Sequence, residues 1–200
     1  MKKVSLQFVS LILFTLMLAG CGTQVSRVDV KESHDLSGAW NDTDSRLVSE
    51  EMITDMLSHP WYRTHSKRSQ SVPVAIVGTI RNLSHEHINL NTFIADIERA
   101  MINSGKIDFV ASNQERSEIR DERKDQDLHA TESSRKAMGQ ERGADYMLKG
   151  SINTIIDMDG STQLRYYQVD LTLISLKDNR KVWLGQKKIK KIVKNSKLRF

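Results

Sequence analysis

The chain of 200 residues contains a single cysteine, Cys21, so it cannot hold a framework of disulfide bonds. It contains only two prolines and ten glycines, which leaves little room for a long disordered linker. The charge is also nearly balanced. Residues 1–20 carry two of the 30 basic residues and none of the 25 acidic ones, so the formal net charge of +5 falls to +3 for residues 21–200. This small excess does not favour nucleic-acid binding.

The longest apolar segment lies at the amino terminus and is too short to span a membrane. Two lysines precede an uncharged run over residues 4–18, whereas a membrane-spanning helix needs about 20 apolar residues. The run ends in the segment LAGC, residues 18–21, which matches the bacterial lipobox in full. These features are typical of a cleaved lipoprotein signal peptide over residues 1–20.

Cys21 is therefore predicted to carry a lipid anchor. In proteins with a lipobox, the cysteine thiol is alkylated with diacylglycerol, signal peptidase II cuts before it, and the freed amine is acylated. Two or more acyl chains hold a protein stably at a membrane, at about 0.8 kcal/mol per buried CH₂. Gly22 stands where an aspartate would signal retention at the inner membrane, so the resemblance to enteric sorting signals predicts the outer membrane, facing the periplasm. A plain secretory peptide or a buried cysteine is the less favoured alternative.

The remaining chain divides into a tether and a domain. Residues 21–36 are polar, lack helical periodicity and are expected to form a short tether after the signal peptide. Sixteen residues reach at most about 50 Å when extended. Residues 37–200 suit one domain.

Hydrophobic periodicity predicts alternating helices and strands in residues 37–200. Helices are predicted from a cap at Asp42, Thr43 or Asp44 to Pro60, from Asn89 or Asn91 to Gly105, over residues 113–127, and from Thr131 through Glu141. Strands are predicted at residues 72–80, 107–112, 146–156, 162–176 and 181–193. This order indicates an α/β fold with a mixed sheet of about four to five strands packed with helices.

No set of residues points to catalysis or metal binding. The sequence lacks the common motifs of hydrolases, metalloproteases and nucleotide-binding enzymes. His85-Glu86-His87 offers two imidazoles, but a zinc site needs three or four ligands, so a polar loop is the favoured interpretation. The other histidines outside this motif, His34, His59, His65 and His129, are expected to be solvated. We therefore predict no enzyme activity, no cofactor and no metal.

Two further features allow both a structural and a functional interpretation. The lysines of QKKIKKIVKNSK, residues 186–197, could attract anionic lipids at about 1 kcal/mol each, or could protect an edge strand, which we favour. Trp40, Trp61 and Tyr62 could contact a partner, although such residues more often cap the core.

Four segments carry a resemblance to a known family: LSGAWNDTDSRLVSEEMI, VAIVGTIRNLS, INSGKIDFVAS and RGADYMLKGSI. Together they resemble the LpoB family of lipoproteins, which activate penicillin-binding proteins. The resemblance runs from Leu36 to about Trp183 and is most specific in the S-G-x-W-N-D-T-D-S run, residues 37–45. It implies an outer-membrane lipoprotein that binds a bifunctional penicillin-binding protein and stimulates its glycosyltransferase and transpeptidase activities. The implied fold resembles the amino-terminal domain of TolB and the periplasmic domain of CsgG.

Two functions of different classes remain open. The first is a monomeric activator of a peptidoglycan synthase, which would bind the active conformation of the synthase more tightly than the inactive one. The second is a structural or assembly lipoprotein of an envelope secretion or flagellar-type complex. The S-G-x-W-N-D-T-D-S run favours the first function. The tether favours the second, because it is much shorter than the proline-rich tether of the best-known activators.

Overall fold

The computed structural model describes residues 24–136 and 138–194. Within them, residues 24–33 and the segment from His34 onward belong to separate compact units. In the first, the side chain and carbonyl of Asp29 accept hydrogen bonds from the backbone N–H groups of Lys31 and Glu32, which forms a turn. Cys21 lies outside the described residues, so the signal peptide and the lipidation stay predictions.

The second unit, residues 34–200, contains four helices and five strands among its described residues. They are α1 (Asp42–Ser58), α2 (Pro60–Ser69), β1 (Val74–Leu83), α3 (Leu90–Asn103), β2 (Asp108–Phe109), α4 (Asn113–His129), β3 (Tyr146–Asp159), β4 (Thr162–Ser175) and β5 (Lys181–Lys194). None of these helices has the length and apolar character that crossing a membrane requires.

The strands form one mixed sheet in the order β2-β1-β3-β4-β5. β1 is parallel to β2 and β3, because a helix-containing segment links each pair, whereas tight turns join β3, β4 and β5 into an antiparallel meander. The predicted α/β class and the sheet of four to five strands are therefore confirmed. β5 is an edge strand, as the lysine pattern predicted.

Helices α1 and α3 bury their apolar stripes against one face of the sheet. The residues that meet there are Val48, Met52 and Met56 of α1, Phe93, Ile97 and Met101 of α3, and Val169, Leu171 and Leu173 of β4. Each such side chain contributes about 1.5–3 kcal/mol when buried. All core residues belong to the second unit, which is therefore expected to fold by itself.

The start of α1 lies one residue earlier than predicted. Asn41 is the N-cap, and its side chain accepts a hydrogen bond from the backbone N–H of Asp44 at 3.0 Å. The Asp44 carboxylate accepts one from the backbone N–H of Asn41, also at 3.0 Å. This capping box satisfies two backbone donors that a helix start leaves free.

One predicted helix is absent, and one observed helix was not predicted. Pro60 marks the end of α1, as predicted, but it also opens α2, because proline fits the first turn of a helix, where no backbone hydrogen bond is lost. Thr131 starts no helix: described residues 131–136 and 138–141 form turns and extended chain. This segment has no apolar face to bury, so tertiary packing cannot support a helix there.

Candidate functional site

The S-G-x-W-N-D-T-D-S run packs against the sheet in a network that we call the Glu86 cluster. It consists of Gly38, Trp40, Asn41, Asp44, Glu86, Arg165, Tyr167 and Lys191. The network joins the chain before α1 to the loop after β1 and to strands β4 and β5.

Glu86 makes the central contacts of the cluster. Its Oε1 accepts hydrogen bonds from the Tyr167 hydroxyl at 2.7 Å and from the Arg165 guanidinium at 3.0 Å. Its Oε2 accepts one from the backbone N–H of Trp40 at 3.1 Å. Burial, and then the Glu86 carboxylate, raise the pKa of Tyr167, so its hydroxyl remains protonated and keeps donating. The carboxylate therefore ties three distant parts of the chain together with charge-assisted hydrogen bonds.

Lys191 of β5 holds the opposite side of the cluster. Its ammonium group donates to Asp44 at 2.6 Å, to Asp35 at 2.7 Å and to the carbonyl of Ala39 at 3.1 Å. Burial alone would lower the pKa of Lys191, but the hydrogen bonds to Asp35 and Asp44 outweigh it and raise the pKa. The edge strand is thereby fastened to the segment that precedes α1.

High pH is expected to weaken the Lys191 contacts. The pKa of Lys191 is raised in the folded state, so its contribution is complete below the unfolded value of about 10.4 and is lost as the pH rises through the folded value. Lys191→Met should lower the free energy of unfolding by about 1–3 kcal/mol at neutral pH, because Asp35 and Asp44 lose a charged donor. It should also flatten the decline in stability above about pH 10.

Urea unfolding of residues 34–200 across this pH range measures both effects. Lys188→Met is the matched control, because Lys188 is exposed on the other face of β5. Lys188→Met should change neither the free energy of unfolding at neutral pH nor its decline above about pH 10. The wild type and both variants contain Tyr167, so its ionisation at high pH affects all three proteins equally. Equal stability of the Lys191→Met and Lys188→Met variants would contradict the role given to Lys191.

Gly38 occupies a position that other residues fit poorly. Its φ is +66°, and a Cβ atom there would overlap the Val193 side chain of β5. Gly38→Ala should destabilise the fold by more than the roughly 1–2 kcal/mol of the backbone strain alone. Gly105→Ala is the control, because Gly105 has φ +64° with open space around it. Thermal unfolding should show a larger loss for Gly38→Ala. Equal losses would mean that Val193 simply moves aside.

Among the described residues, the structure brings no set of metal ligands together at His85 and His87. Both are exposed, and the Nδ1 atom of His85 lies 3.0 Å from the hydroxyl of Thr154. In the part of the chain that the structure describes, no group of three His, Cys, Asp or Glu residues could hold a metal ion. The residue of this motif that joins distant parts of the fold is Glu86, which no sequence pattern singled out.

The aromatic residues cap the core, which is the interpretation that the sequence favoured. Trp61 is buried, while Trp40 and Tyr62 pack on the core. His65, in contrast, was wrongly expected to be solvated. It is buried on α2, the helix that the sequence analysis missed, with its Nδ1 atom 3.0 Å from the Tyr146 hydroxyl.

The sheet face opposite the helices carries an exposed apolar patch. Ile155 pairs with Tyr166 across β3 and β4, and Leu164 pairs with Ile192 across β4 and β5 in the neighbouring row. We call these four residues the open-face patch. Ile155 and Ile192 are 64% and 68% exposed. Lys190 borders the patch, with its Nζ atom 6.0 Å from the centre of the Tyr166 ring.

The open-face patch has the composition of a protein-binding surface. Its centre is apolar and aromatic, and its rim on β5 is basic, with Lys188, Lys190 and Lys194 exposed. Singly exposed apolar residues are common on proteins, but a cluster with an aromatic centre and a polar rim is typical of an interface. The alternation of Leu164, Tyr166 and the lysines along β4 and β5 was the available sequence signal.

Comparisons with known proteins agree with the resemblance noted in the sequence. A family model described as peptidoglycan-synthase activator LpoB matches residues 44–189. Solved structures of LpoB C-terminal domains from Salmonella enterica and Escherichia coli are 18% and 16% identical to the chain, with TM-scores of 0.44 and 0.43. Each covers 73% of this chain and 98% of the other.

A third similar structure is the lipoprotein GNA1162 from Neisseria meningitidis. It is 14% identical, has a TM-score of 0.40, and the alignment covers 63% of this chain and 88% of that one. No curated protein matches the sequence.

Proposed function

The chain belongs to the LpoB family of peptidoglycan-synthase activators, whose members are regulators and not enzymes, and from this premise we propose that it binds and stimulates a bifunctional penicillin-binding protein. The observation that carries the proposal is the family match over residues 44–189, which extends from α1 to β5. A regulator of this kind acts by binding more tightly to the active conformation of the synthase than to the inactive one.

The proposal includes an acyl anchor at Cys21 and attachment to the outer membrane on its periplasmic side. The lipobox and Gly22 support this location. A tether over residues 21–36 would keep the start of the domain within about 50 Å of the membrane. The synthase must therefore extend its receiving surface to that distance from the outer membrane.

We propose the open-face patch as the surface that docks on the synthase. The helix-covered face of the sheet is buried in the core, and the charged groups of the Glu86 cluster are paired with one another. In the open-face patch, in contrast, Ile155 and Ile192 are exposed to solvent, and Leu164 and Tyr166 are half-buried. Aromatic residues at the centre of an interface often contribute most of the binding energy, which gives Tyr166 the central position.

The charge around the patch indicates the chemistry of the complementary surface. Lys188, Lys190 and Lys194 are exposed on the same face as the patch, so the synthase should present an apolar depression with acidic residues around it. Such a rim speeds association. The affinity that it contributes falls at high salt, because exposed charges are screened. Binding through this patch is therefore expected to weaken moderately, but not to vanish, at high ionic strength.

The test is reconstitution with purified components. Residues 34–200 and the bifunctional synthase from the same cell are mixed, and glycan polymerisation, peptide cross-linking and binding are measured with and without the domain. The proposal expects a one-to-one complex and an increase in the rate of polymerisation. Absence of binding, or binding without a change in rate, would show that the family fold here serves another task. A ring in native mass measurements would favour the assembly function.

A further inference from the structure

A cavity lies at the end of the sheet away from the Glu86 cluster. It has a volume of about 880 Å³ and is lined by α2, the start of β3 and the loop between β4 and β5. The Glu86 cluster contacts β4 at Tyr167, whereas the cavity contacts Ser175 at the other end of the strand. The two positions are eight steps apart along the strand, which corresponds to about 27 Å. The cavity is thus a separate site.

The wall of the cavity carries an excess of positive charge. Its charged residues are Arg68, Lys177, Arg180, Lys181, Asp145 and Asp178. Both acidic side chains are already engaged: Asp178 accepts a hydrogen bond from Arg180 at 2.6 Å, and Asp145 accepts one from the backbone N–H of Val74 at 2.9 Å. Arg68, Lys177 and Lys181 form no ion pair with any described residue. Three cations therefore line the cavity without a paired carboxylate, and Asp145 is the one acidic residue of the wall that is not paired with a cation in the described part of the chain.

The cavity also offers hydrogen-bonding groups besides its arginines, lysines and carboxylates. His65 is 92% buried, and its Nε2 atom makes no hydrogen bond to any described residue, with the nearest Asp145 oxygen at 4.0 Å. The Tyr146 hydroxyl lies beside the other ring nitrogen at 3.0 Å. A buried polar atom without a partner is uncommon, and a ligand that brings hydrogen-bonding groups to the cavity is one explanation for it.

The two arginines of the cavity act on the same hydroxyl. Burial is the largest cause of the raised pKa of Tyr146 and the charge of Asp145 adds to it, whereas Arg180 and Arg68 lower it. Both arginines and Tyr146 line the same cavity, so the two positive charges act at one place. A group bound beside Tyr146 would experience both positive charges together.

We propose that this cavity binds a phosphate group, either free or as the monoester headgroup of a lipid. Guanidinium groups match the oxygens of phosphate with paired hydrogen bonds, and lysines add compact positive charges. Four basic and two acidic residues give the wall a net charge of +2, which a phosphate dianion would neutralise. The site lies apart from the open-face patch, so it does not depend on how the synthase docks.

Calorimetric titration of residues 34–200 with inorganic phosphate tests the site. Arg68→Gln removes an unpaired cation from the wall, and Lys67→Gln removes one from the neighbouring position on α2, which does not line the cavity. Binding should weaken at least tenfold in Arg68→Gln and stay unchanged in Lys67→Gln. Lys181→Gln is the second test variant, and circular dichroism checks that each variant folds.

Vesicles distinguish the two sources of the phosphate group. Phosphatidic acid in phosphatidylcholine presents a phosphate monoester, and phosphatidylglycerol in phosphatidylcholine presents only a diester with similar surface charge. If the domain sediments with phosphatidic acid vesicles but not with phosphatidylglycerol vesicles, and Arg68→Gln abolishes the sedimentation, the ligand is a lipid headgroup. If the domain binds inorganic phosphate but sediments with neither type of vesicle, the ligand is a free phosphate. Absence of phosphate binding, or equal weakening by Arg68→Gln and Lys67→Gln, would overturn the proposal.

Discussion

Replacing Glu86 by alanine is expected to lower the free energy of unfolding by about 2–4 kcal/mol, the largest effect on stability that we expect from one polar side chain. The variant leaves the Nη1 group of Arg165 and the backbone N–H of Trp40 without their acceptor. The Tyr167 hydroxyl keeps only its longer contact, 3.2 Å, with the carbonyl of Gly38. Losing one partner of a buried ion pair costs more than the pair contributes, because the remaining charge stays desolvated. Glu86 and Arg165 are 17% and 21% exposed, which keeps the expected loss below that of a fully buried pair.

Urea unfolding of residues 34–200 at neutral pH measures this loss. Glu86→Gln keeps an acceptor oxygen and should fall between the wild type and Glu86→Ala. Glu118→Ala is the control on α4, where the side chain is exposed, and it should stay within about 0.5 kcal/mol of the wild type. A Glu86→Ala variant as stable as Glu118→Ala would show that the cluster is not required for the fold.

Ile155→Glu is expected to weaken binding to the synthase at least tenfold, which corresponds to about 1.4 kcal/mol. The substitution removes an apolar side chain beside Tyr166 and places a negative charge opposite the acidic surface that the lysine rim implies. Burying an unpaired carboxylate in an interface is costly, so stimulation of the synthase should fall with the affinity.

The matched control for this prediction is Leu128→Glu. Leu128 is 78% exposed on α4, a helix with no buried side chain, so the chemical change is the same but lies outside the open-face patch. Both variants should unfold at the wild-type temperature, because Ile155 and Leu128 contribute little to the core. The docking surface would be wrongly assigned if the two variants bound the synthase equally well.

Those parts of the fold that rest on regular patterns could be predicted from the sequence. The alternation of Tyr167, Val169, Leu171 and Leu173 indicated a strand with one buried face, and these four residues are buried in β4. The Ser112 capping box was also predictable, because both of its hydrogen bonds link residues three positions apart. Local chemistry was sufficient for these features.

The short helix α2 could not be predicted, because its stability comes from residues far away in the chain. Its ten residues are mostly polar, and Pro60 reads equally well as the end of one helix or the start of another. The burial of Trp61 and His65 fixes the helix in place, and His65 is hydrogen-bonded to Tyr146, 81 positions along the chain. Tertiary contacts decide the structure of such a segment.

Glu86 illustrates the same limit for the candidate site. In the sequence, a polar loop is the favoured interpretation of His85-Glu86-His87, and no residue near Glu86 in the chain indicates that its carboxylate has a structural role. Its hydrogen-bond partners Arg165 and Tyr167 lie 79 and 81 positions away, and only the pairing of β3 with β4 beside β1 brings them within reach. The same holds for Lys191. The alternation of residues along β5 indicates on which face of the strand it lies, but not that its partners are Asp35 and Asp44.

The Glu86 cluster also determines how the unit responds to mechanical force. The chain before α1 is bonded at Asp35 and Ala39 to β5, and at Trp40 to the loop after β1. A pull on the amino-terminal end of the unit therefore meets these charged contacts before tension reaches α1. The core of the domain is thereby shielded from stretching of the segment that precedes it.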